Sequence, residues 1–216
     1  MKRHQARCSA LPRIADCPGS LDAEDGLVSP SSAQSLAGVG GHGALESYWN
    51  QAGHLDGSQI NNPESFCDDL DDMIAGRVSW YAKVIHGLIK ERGGAVMILT
   101  EYEMESNISH TVVLTGHADL IVKCGNGVTL VIDYKFNWLE VPRAVQNKQL
   151  MGYAVLYADE FTNPGIIQTV LTAGGNDEPF SIAEYDEQGL MHAKDQILQI
   201  MAAALLVEDP ARVPAI

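Results

Sequence analysis

Two aspartates and a lysine stand out by their setting. Asp119 lies in the β-prone run from Val112 to Val122, and Asp133 and Lys135 lie in and just beyond a second run from Val128 to Tyr134. The turn-rich Cys124-Gly125-Asn126-Gly127 separates the runs, so they read as a hairpin whose register decides its chemistry. A two-residue Asn126-Gly127 turn sets Asp119 against Tyr134, on the opposite face from Asp133. A three-residue Gly125-Asn126-Gly127 loop sets Asp119 directly against Asp133, with Lys135 on the same face because side chains alternate along a strand. The second register gathers two carboxylates and an ammonium in one patch. Two carboxylates on neighbouring strands can hold a hard divalent cation that keeps several waters, and one such water can be activated for in-line attack on phosphorus. A lysine beside it can position that water, help deprotonate it, or neutralise charge on the pentavalent phosphorus. The bland alternative is a solvated hairpin with a surface Asp–Lys pair. Leu120-Ile121-Val122 and Leu130-Val131-Ile132 are too apolar for that, and a carboxylate ending a buried strand needs a partner.

Positioning these groups requires a sheet with helices against it. Cys17-Pro18-Gly19 must stop any helix begun near Ser9, and residues 21–37, rich in Ser, Asp and Gly, read as a loop. From Gly41, the residues Ala44, Leu45, Tyr48 and Trp49 give a helical stripe, and residues 50–65 read as a connection. A second helix is expected from Pro63 or Glu64 to about Arg92, with Asp68, Asp69, Asp71 and Asp72 as a solvated run in its first half. Gly93-Gly94 ends it. Val96–Met104 is expected as a strand with Glu101, Glu103 and Glu105 to one side, followed by the hairpin. Arg143 to Glu160 reads as a helix, Gly165 to Thr172 and Pro179 to Tyr185 as strands, and Gln188 to Val207 as a closing helix. The order α-α-β-β-β-α-β-β-α predicts an α/β fold, a central mixed β-sheet flanked by helices. One domain spans 1–216, with an N-terminal segment and loop (1–37), a helical part (38–92) and an αβ core (93–216).

At 216 residues, with 46% hydrophobic and 19% charged residues, the composition is globular. The net charge of −14 argues against broad electrostatic binding of nucleic acid, and part of it can be a cation site counted without its cations. Cys8, Cys17, Cys67 and Cys124 form no C-x-x-C pair and read as free thiols of a reducing compartment. Lys2 and Arg3 precede no apolar run, and no stretch approaches the roughly 20 apolar residues that cross a bilayer. A soluble, cytoplasmic protein without membrane contact is expected.

Asp119, Ile132-Asp133-Tyr134-Lys135 and Gln149-Leu150-Met151-Gly152-Tyr153, in that order, resemble the PD-(D/E)XK nuclease superfamily. The resemblance is to its RecB-like branch, which includes phage exonucleases and CRISPR adaptation nucleases. Upstream, Gly38-Val39-Gly40-Gly41-His42-Gly43-Ala44-Leu45-Glu46 is similar to that branch's first motif, a helix that supplies a His to the metal. Ser9 to Pro18 is similar to its N-terminal Ser…Cys-Pro segment. The resemblance implies a restriction-endonuclease-like core and a Mg²⁺- or Mn²⁺-dependent deoxyribonuclease, an exonuclease of phage or prophage recombination type. It implies His42, Asp119 and Asp133 as metal ligands, Lys135 as the catalytic lysine, and Gln149 and Tyr153 near the active site or the DNA. His42 and Glu46 are four apart and share a helix face, as do Gln149 and Tyr153. Glu46 reads either as a carboxylate orienting a ligand or as a surface residue. Glu101, Glu103 and Glu105 read as an exposed strand face, from which Glu101 or Glu103 could reach the metal. Arg13, Arg143 and Lys148 are the candidate phosphate contacts.

The sequence departs from some members of that branch. Cys17-Pro18 is present, but no cysteine follows Cys124, so one chain cannot build a four-thiolate iron–sulfur cluster and none is expected. His117 reads as a core or surface histidine. Two alternatives stay open: a nuclease-fold protein that binds without cutting, and a subunit whose recombination partner, or a second copy in a homo-oligomer, supplies the basic surface that DNA requires.

Overall fold

Strand pairing sets the architecture. In the computed structural model, which describes residues 4–23, 33–52, 63–136, 140–162, 164–173 and 180–206, six strands form one mixed sheet. Strands β2 (Ala95–Asn107) and β3 (Val112–Cys124) pair antiparallel from Ala95↔Cys124 to Asn107↔Val113, with a register shift between Ala95 and Met97. β4 (Thr129–Lys135) continues the hairpin antiparallel to β3, from Lys123↔Thr129 to Leu120↔Ile132. That is the register of the three-residue loop, with Asp119 and Asp133 next in line. Gly127, at φ +87, turns the chain where a side chain would be strained. β4 pairs in parallel with β5 (Ile167–Ala173), and β5 antiparallel with β6 (Phe180–Tyr185).

A strand the sequence reading lacks, β1 (His4–Arg7), pairs in parallel with β3 from His4↔Val112 to Arg7↔Thr115. Its four residues bury only Ala6, which leaves no alternating pattern to read. The N-terminal segment is therefore part of the sheet. β1 and β4 share one edge of β3 but cover different stretches of it, so Gly116 to Asp119 faces a gap between them.

Helices cover both faces. On one face α1 (Leu11–Asp16), α5 (Lys148–Glu160) and α6 (Glu187–Leu205) pack with Leu114, Ile121, Val131 and Leu171. On the other α3 (Ala33–Ala52) and α4 (Asp72–Glu91) pack with Leu120, Val122, Ile132 and Tyr134. The segment 21–37, read as a loop, instead opens in the short α2 (Ser20–Ala23) and ends in the first turn of α3; its middle, 24–32, lies outside the described residues, as does 53–62 of the expected connection. Among the described residues no helix is long and apolar enough to cross a membrane.

Three helix starts differ from expectation. α3 begins at Ala33, not Gly41, and runs through Gly38, Gly40, Gly41 and Gly43. Each glycine costs a helix about 1 kcal/mol, but a Cβ at Gly41 would lie 2.6 Å from the Phe136 ring and one at Gly40 2.7 Å from Leu70. Close packing overrides propensity there. α4 begins at Asp72, not at Pro63 or Glu64: the Asp71 carboxylate accepts from the Met73 and Ile74 N–H groups, and Pro63–Phe66 is a separate 3₁₀ turn. α5 begins at Lys148, not Arg143, because the Asn147 side chain caps it through Gln149 N–H and Leu150 N–H. That cap puts Gln149 in the first turn, beside the end of β4.

The strands are kinked together. On β2, Ile98 packs toward α3 and α4 but Met104 toward α5 and α6; on β3, Leu120 and Val122 pack the first way, Leu114 and Ala118 the second. Strict alternation would keep each even-numbered set on one face. Pairing lapses between Thr100↔Leu120 and Tyr102↔Ala118, opposite Asp119, and Glu101 there has φ 45, the one positive value at a non-glycine among the described residues.

Candidate active site

The kink and the gap coincide at Asp119. One carboxylate oxygen accepts the Tyr134 N–H at 2.6 Å, across the opening between β3 and β4, and the other faces His42 Nδ1 at 3.4 Å. His42 projects from α3, where its ring meets Phe136 and Tyr134 edge-on. The glycine at 41 lets α3 approach closely enough for that contact. Single donor atoms of His42, Glu101 and Asp119 lie within 4.8 Å of one another, all three residues half-buried. Glu46, one turn after His42, is half-buried too. Burial lowers the His42 pKa, but the hydrogen bond and charge of Asp119, with Asp133 and Glu101 behind, outweigh it and hold the imidazole above its usual value. Burial, then Asp119, raises the Glu101 carboxyl; His42 and His117 oppose the rise and Glu46 adds to it.

The α5 side of the gap is built differently. Asp133, with 3% of its side chain exposed, pairs with Lys135 Nζ at 2.7 Å. Gln149 ties the two together: its carbonyl accepts from Lys135 at 3.1 Å, and its amide donates to Asp133 at 3.0 Å and to the Tyr153 hydroxyl at 2.7 Å. Burial raises the Asp133 pKa, against the pull of Lys135, and Asp119 raises it further. Burial also works against the Lys135 charge, but Asp133 and then Asp119 more than compensate, so the amine stays protonated. Burial pushes the Tyr153 phenol far above its ordinary range, so it stays neutral. At Gly116 a Cβ would lie 2.8 Å from the Tyr153 and Leu156 side chains, so α5 sits directly against the gap.

Asp119 and Asp133 therefore stand in the expected register but approach the opening from opposite layers, Asp119 with α3 and Asp133 with α5. Asp133 falls outside the His42–Glu101–Asp119 grouping, although its pKa responds to both Asp119 and His42. Glu103 is exposed and outside that grouping. It lines, with Arg7, Glu105, Thr115, His117 and Tyr153, a groove of about 700 Å³ beside the cluster. Arg13 is half-buried on α1, Arg143 is exposed before the 3₁₀ turn at Ala144–Gln146, and Lys148 is half-buried at the start of α5. Cys8, Cys67 and Cys124 are buried and Cys17 is exposed, all as free thiols.

Three contributions escaped the sequence reading. His117 Nε2 lies 3.3 Å from Glu101 Oε2; its place two residues before Asp119, on the same side of β3, was the available signal. The Tyr81 hydroxyl and the Arg77 guanidinium, both on α4, donate to the carbonyls of Lys135 and Phe136 and fix the end of β4. Nothing in an apolar helical stripe announces that.

Solved structures with this fold exist. A crystal structure from Eubacterium rectale, named "Putative exonuclease", is similar over 99% of this chain and 89% of its own, with a TM-score of 0.52 and 11% identity. The structure of SSO0001 covers the same shares at 15% identity and a TM-score of 0.41, too low to bear on the argument. The first likeness shows the fold, a mixed α/β core with helices on both faces of the sheet. No curated protein matches the sequence. The family model described as "Protein of unknown function (DUF2800)" matches residues 7–172, from the end of β1 through β5, and so includes every residue of the two networks. The chain belongs to the DUF2800 family.

Proposed function

We propose that this chain is a Mg²⁺- or Mn²⁺-dependent deoxyribonuclease of the PD-(D/E)XK superfamily, RecB-like branch, hydrolysing DNA phosphodiester bonds as an exonuclease. One observation carries the reading: the His42–Asp119 contact and the Asp133–Lys135–Gln149 network meet at a single gap in the sheet. His42, Asp119 and Asp133 would hold the cation. Carboxylate oxygens with one imidazole suit a hard divalent ion, and the crowding of Glu46, Glu101 and Asp119 is charge that such an ion would balance. When bound, the ion supplies an activated water and charge stabilisation at phosphorus.

The chain's own residues do the rest. Lys135 is a cation, not a base: Asp133 and Gln149 hold its ammonium in a fixed direction, where it neutralises charge growing on a phosphate oxygen. Gln149 keeps Asp133 and Lys135 in one orientation, with Tyr153 behind it as a neutral partner. Arg13, Arg143 and Lys148 are assigned to phosphate contacts. With a net charge of −14, further basic surface would come from a recombination partner or a second copy of the chain. The fold likeness to the Eubacterium rectale protein supports the same reading.

The test is end-labelled linear DNA beside closed circular DNA, with and without Mn²⁺. Loss of label from the linear DNA only, dependent on Mn²⁺ and abolished by Asp133→Ala, is the expected result. A second reading, a nuclease fold that binds without cutting, is favoured by the exposed Glu103 and Glu105 along the groove, which repel phosphate. Equal, slow cleavage by wild type and Asp133→Ala would support it.

A further inference from the structure

We propose that Glu101 is a further metal donor beside His42 and Asp119, presented by the paired kink in β2 and β3, and that His117 is the positioning residue that holds its carboxylate. This rests on the cation site assigned above but concerns two residues outside the set of His42, Asp119 and Asp133.

Geometry makes the first argument. The donor atoms of His42, Glu101 and Asp119 already converge within 4.8 Å, and Asp133, whose oxygens also meet Lys135 and Gln149, lies outside that grouping. The backbone makes the second. Side chains on β2 that alternated regularly through Ile98 and Thr100 would turn Glu101 toward α5, away from His42. Instead Thr100 bonds Asn50 of α3, and the next residue also faces α3, because Glu101 adopts φ 45. A non-glycine residue held there is strained, and such strain persists where the surroundings over-determine it, often at ligand sites. Opposite it, Asp119 and Leu120 likewise face α3 in succession. The two kinks together turn this facing pair of carboxylates toward His42, whereas regular strands would keep them side by side but on the α5 layer.

The third argument is the support behind Glu101. His117 Nε2 lies 3.3 Å from Glu101 Oε2, and about half of the His117 side chain is exposed. His117 therefore contributes little to packing. Its contact fixes one carboxylate oxygen and leaves the other for the ion, as a partner behind a metal ligand does; removing such a partner commonly costs about 10- to 100-fold in metal affinity.

The experiment is titration of the full chain with Mn²⁺ alone, by calorimetry and by Mn²⁺ electron paramagnetic resonance. It compares wild type with Asp119→Asn, Glu101→Gln, His117→Ala and His117→Gln, and a thermal melt of each metal-free protein confirms folding. The expected results are binding at least about tenfold weaker in Glu101→Gln, about tenfold weaker in His117→Ala, and within about threefold of wild type in His117→Gln, whose amide can still donate to the carboxylate. Wild-type affinity in Glu101→Gln, with Asp119→Asn impaired, overturns this inference and leaves the cation site standing. Unchanged affinity in His117→Ala, with Glu101→Gln impaired, overturns the role given to His117. Absence of Mn²⁺ binding in wild type overturns both the inference and the site.

Discussion

The two sides of the gap in the sheet are built on opposite principles. On the α5 side, Asp133, Lys135, Gln149 and Tyr153 close on one another: the acid has its ammonium, the amide bridges them, and the phenol completes the set. On the α3 side, Asp119 and Glu101 meet His42, with Glu46 acting on Glu101 from α3, and the bend in β2 and β3 turns the two facing acids toward that helix. The first network is complete without a ligand. The second has only the histidines His42 and His117, among the described residues, set against its carboxylates. The difference separates an ammonium already held from acids still short of a cation, and Asp133, which holds Lys135 and would also give the ion an oxygen, links the two.

Breaking the complete side should have the larger consequences. Lys135→Ala or Asp133→Ala should lower the rate of DNA cleavage at least about 100-fold, the scale of losing one preorganised charge, measured on end-labelled DNA with saturating Mn²⁺. Lys135→Ala should also cost about 3 kcal/mol of stability by urea denaturation, because it strands a buried carboxylate. Gln149→Ala removes three hydrogen bonds at once and should cost about 1–3 kcal/mol. Stability unchanged in both variants would mean that the network does not exist in solution.

The deficient side should respond in the opposite sense. Glu101→Gly relieves both the strained backbone and the carboxylate crowding, and should stabilise the metal-free protein by about 1 kcal/mol. A destabilised Glu101→Gly would show that the kink is not strained.

The smallest effect is on pH. The His42 pKa in the folded protein is raised above the ordinary histidine value of 6.5, so the folded state holds its proton longer than the unfolded chain does. That contribution is fully present below 6.5 and is lost as pH rises through the raised value. The metal-free protein should lose a little stability over that window, and His42→Gln should flatten the slope. Mn²⁺ competes with the same proton, so its affinity should rise with pH there, with proton release visible by calorimetry in buffers of different ionisation enthalpy.

Much of the α5 side was legible in the sequence. Gly125-Asn126-Gly127 between apolar runs suggested the register, and alternation put Asp133 and Lys135 on one face. The caps were legible as residue types, Asp71 and Asn147, but the helical spacing of Phe66 and Leu70 before the first and the helix-starting Pro142 before the second pulled the expected starts too early. The α3 side was harder to read. Its helix starts eight residues before the expected Gly41 and runs through Gly38 and Gly40, which local propensity disfavours; the close packing of Gly40 on Leu70 and of Gly41 on Phe136 involves residues distant in sequence. The kink has no local signature either. Leu114, Ala118, Leu120 and Val122 fit one regular strand, and only the layers packed against them reveal that the face changes. Sequence alone does not choose between Glu101 and Glu103 as the acid in reach of the metal, and the kink at Glu101 is what separates them.

The most direct measurement is the anomalous difference map of a crystal grown or soaked with Mn²⁺. The expected result is a peak about 2.0–2.2 Å from His42 Nδ1 and an Asp119 carboxylate oxygen, with Glu101 in reach of the same ion. A fully bound crystal with no peak at that position, or with its peak elsewhere on the molecule, would contradict the account.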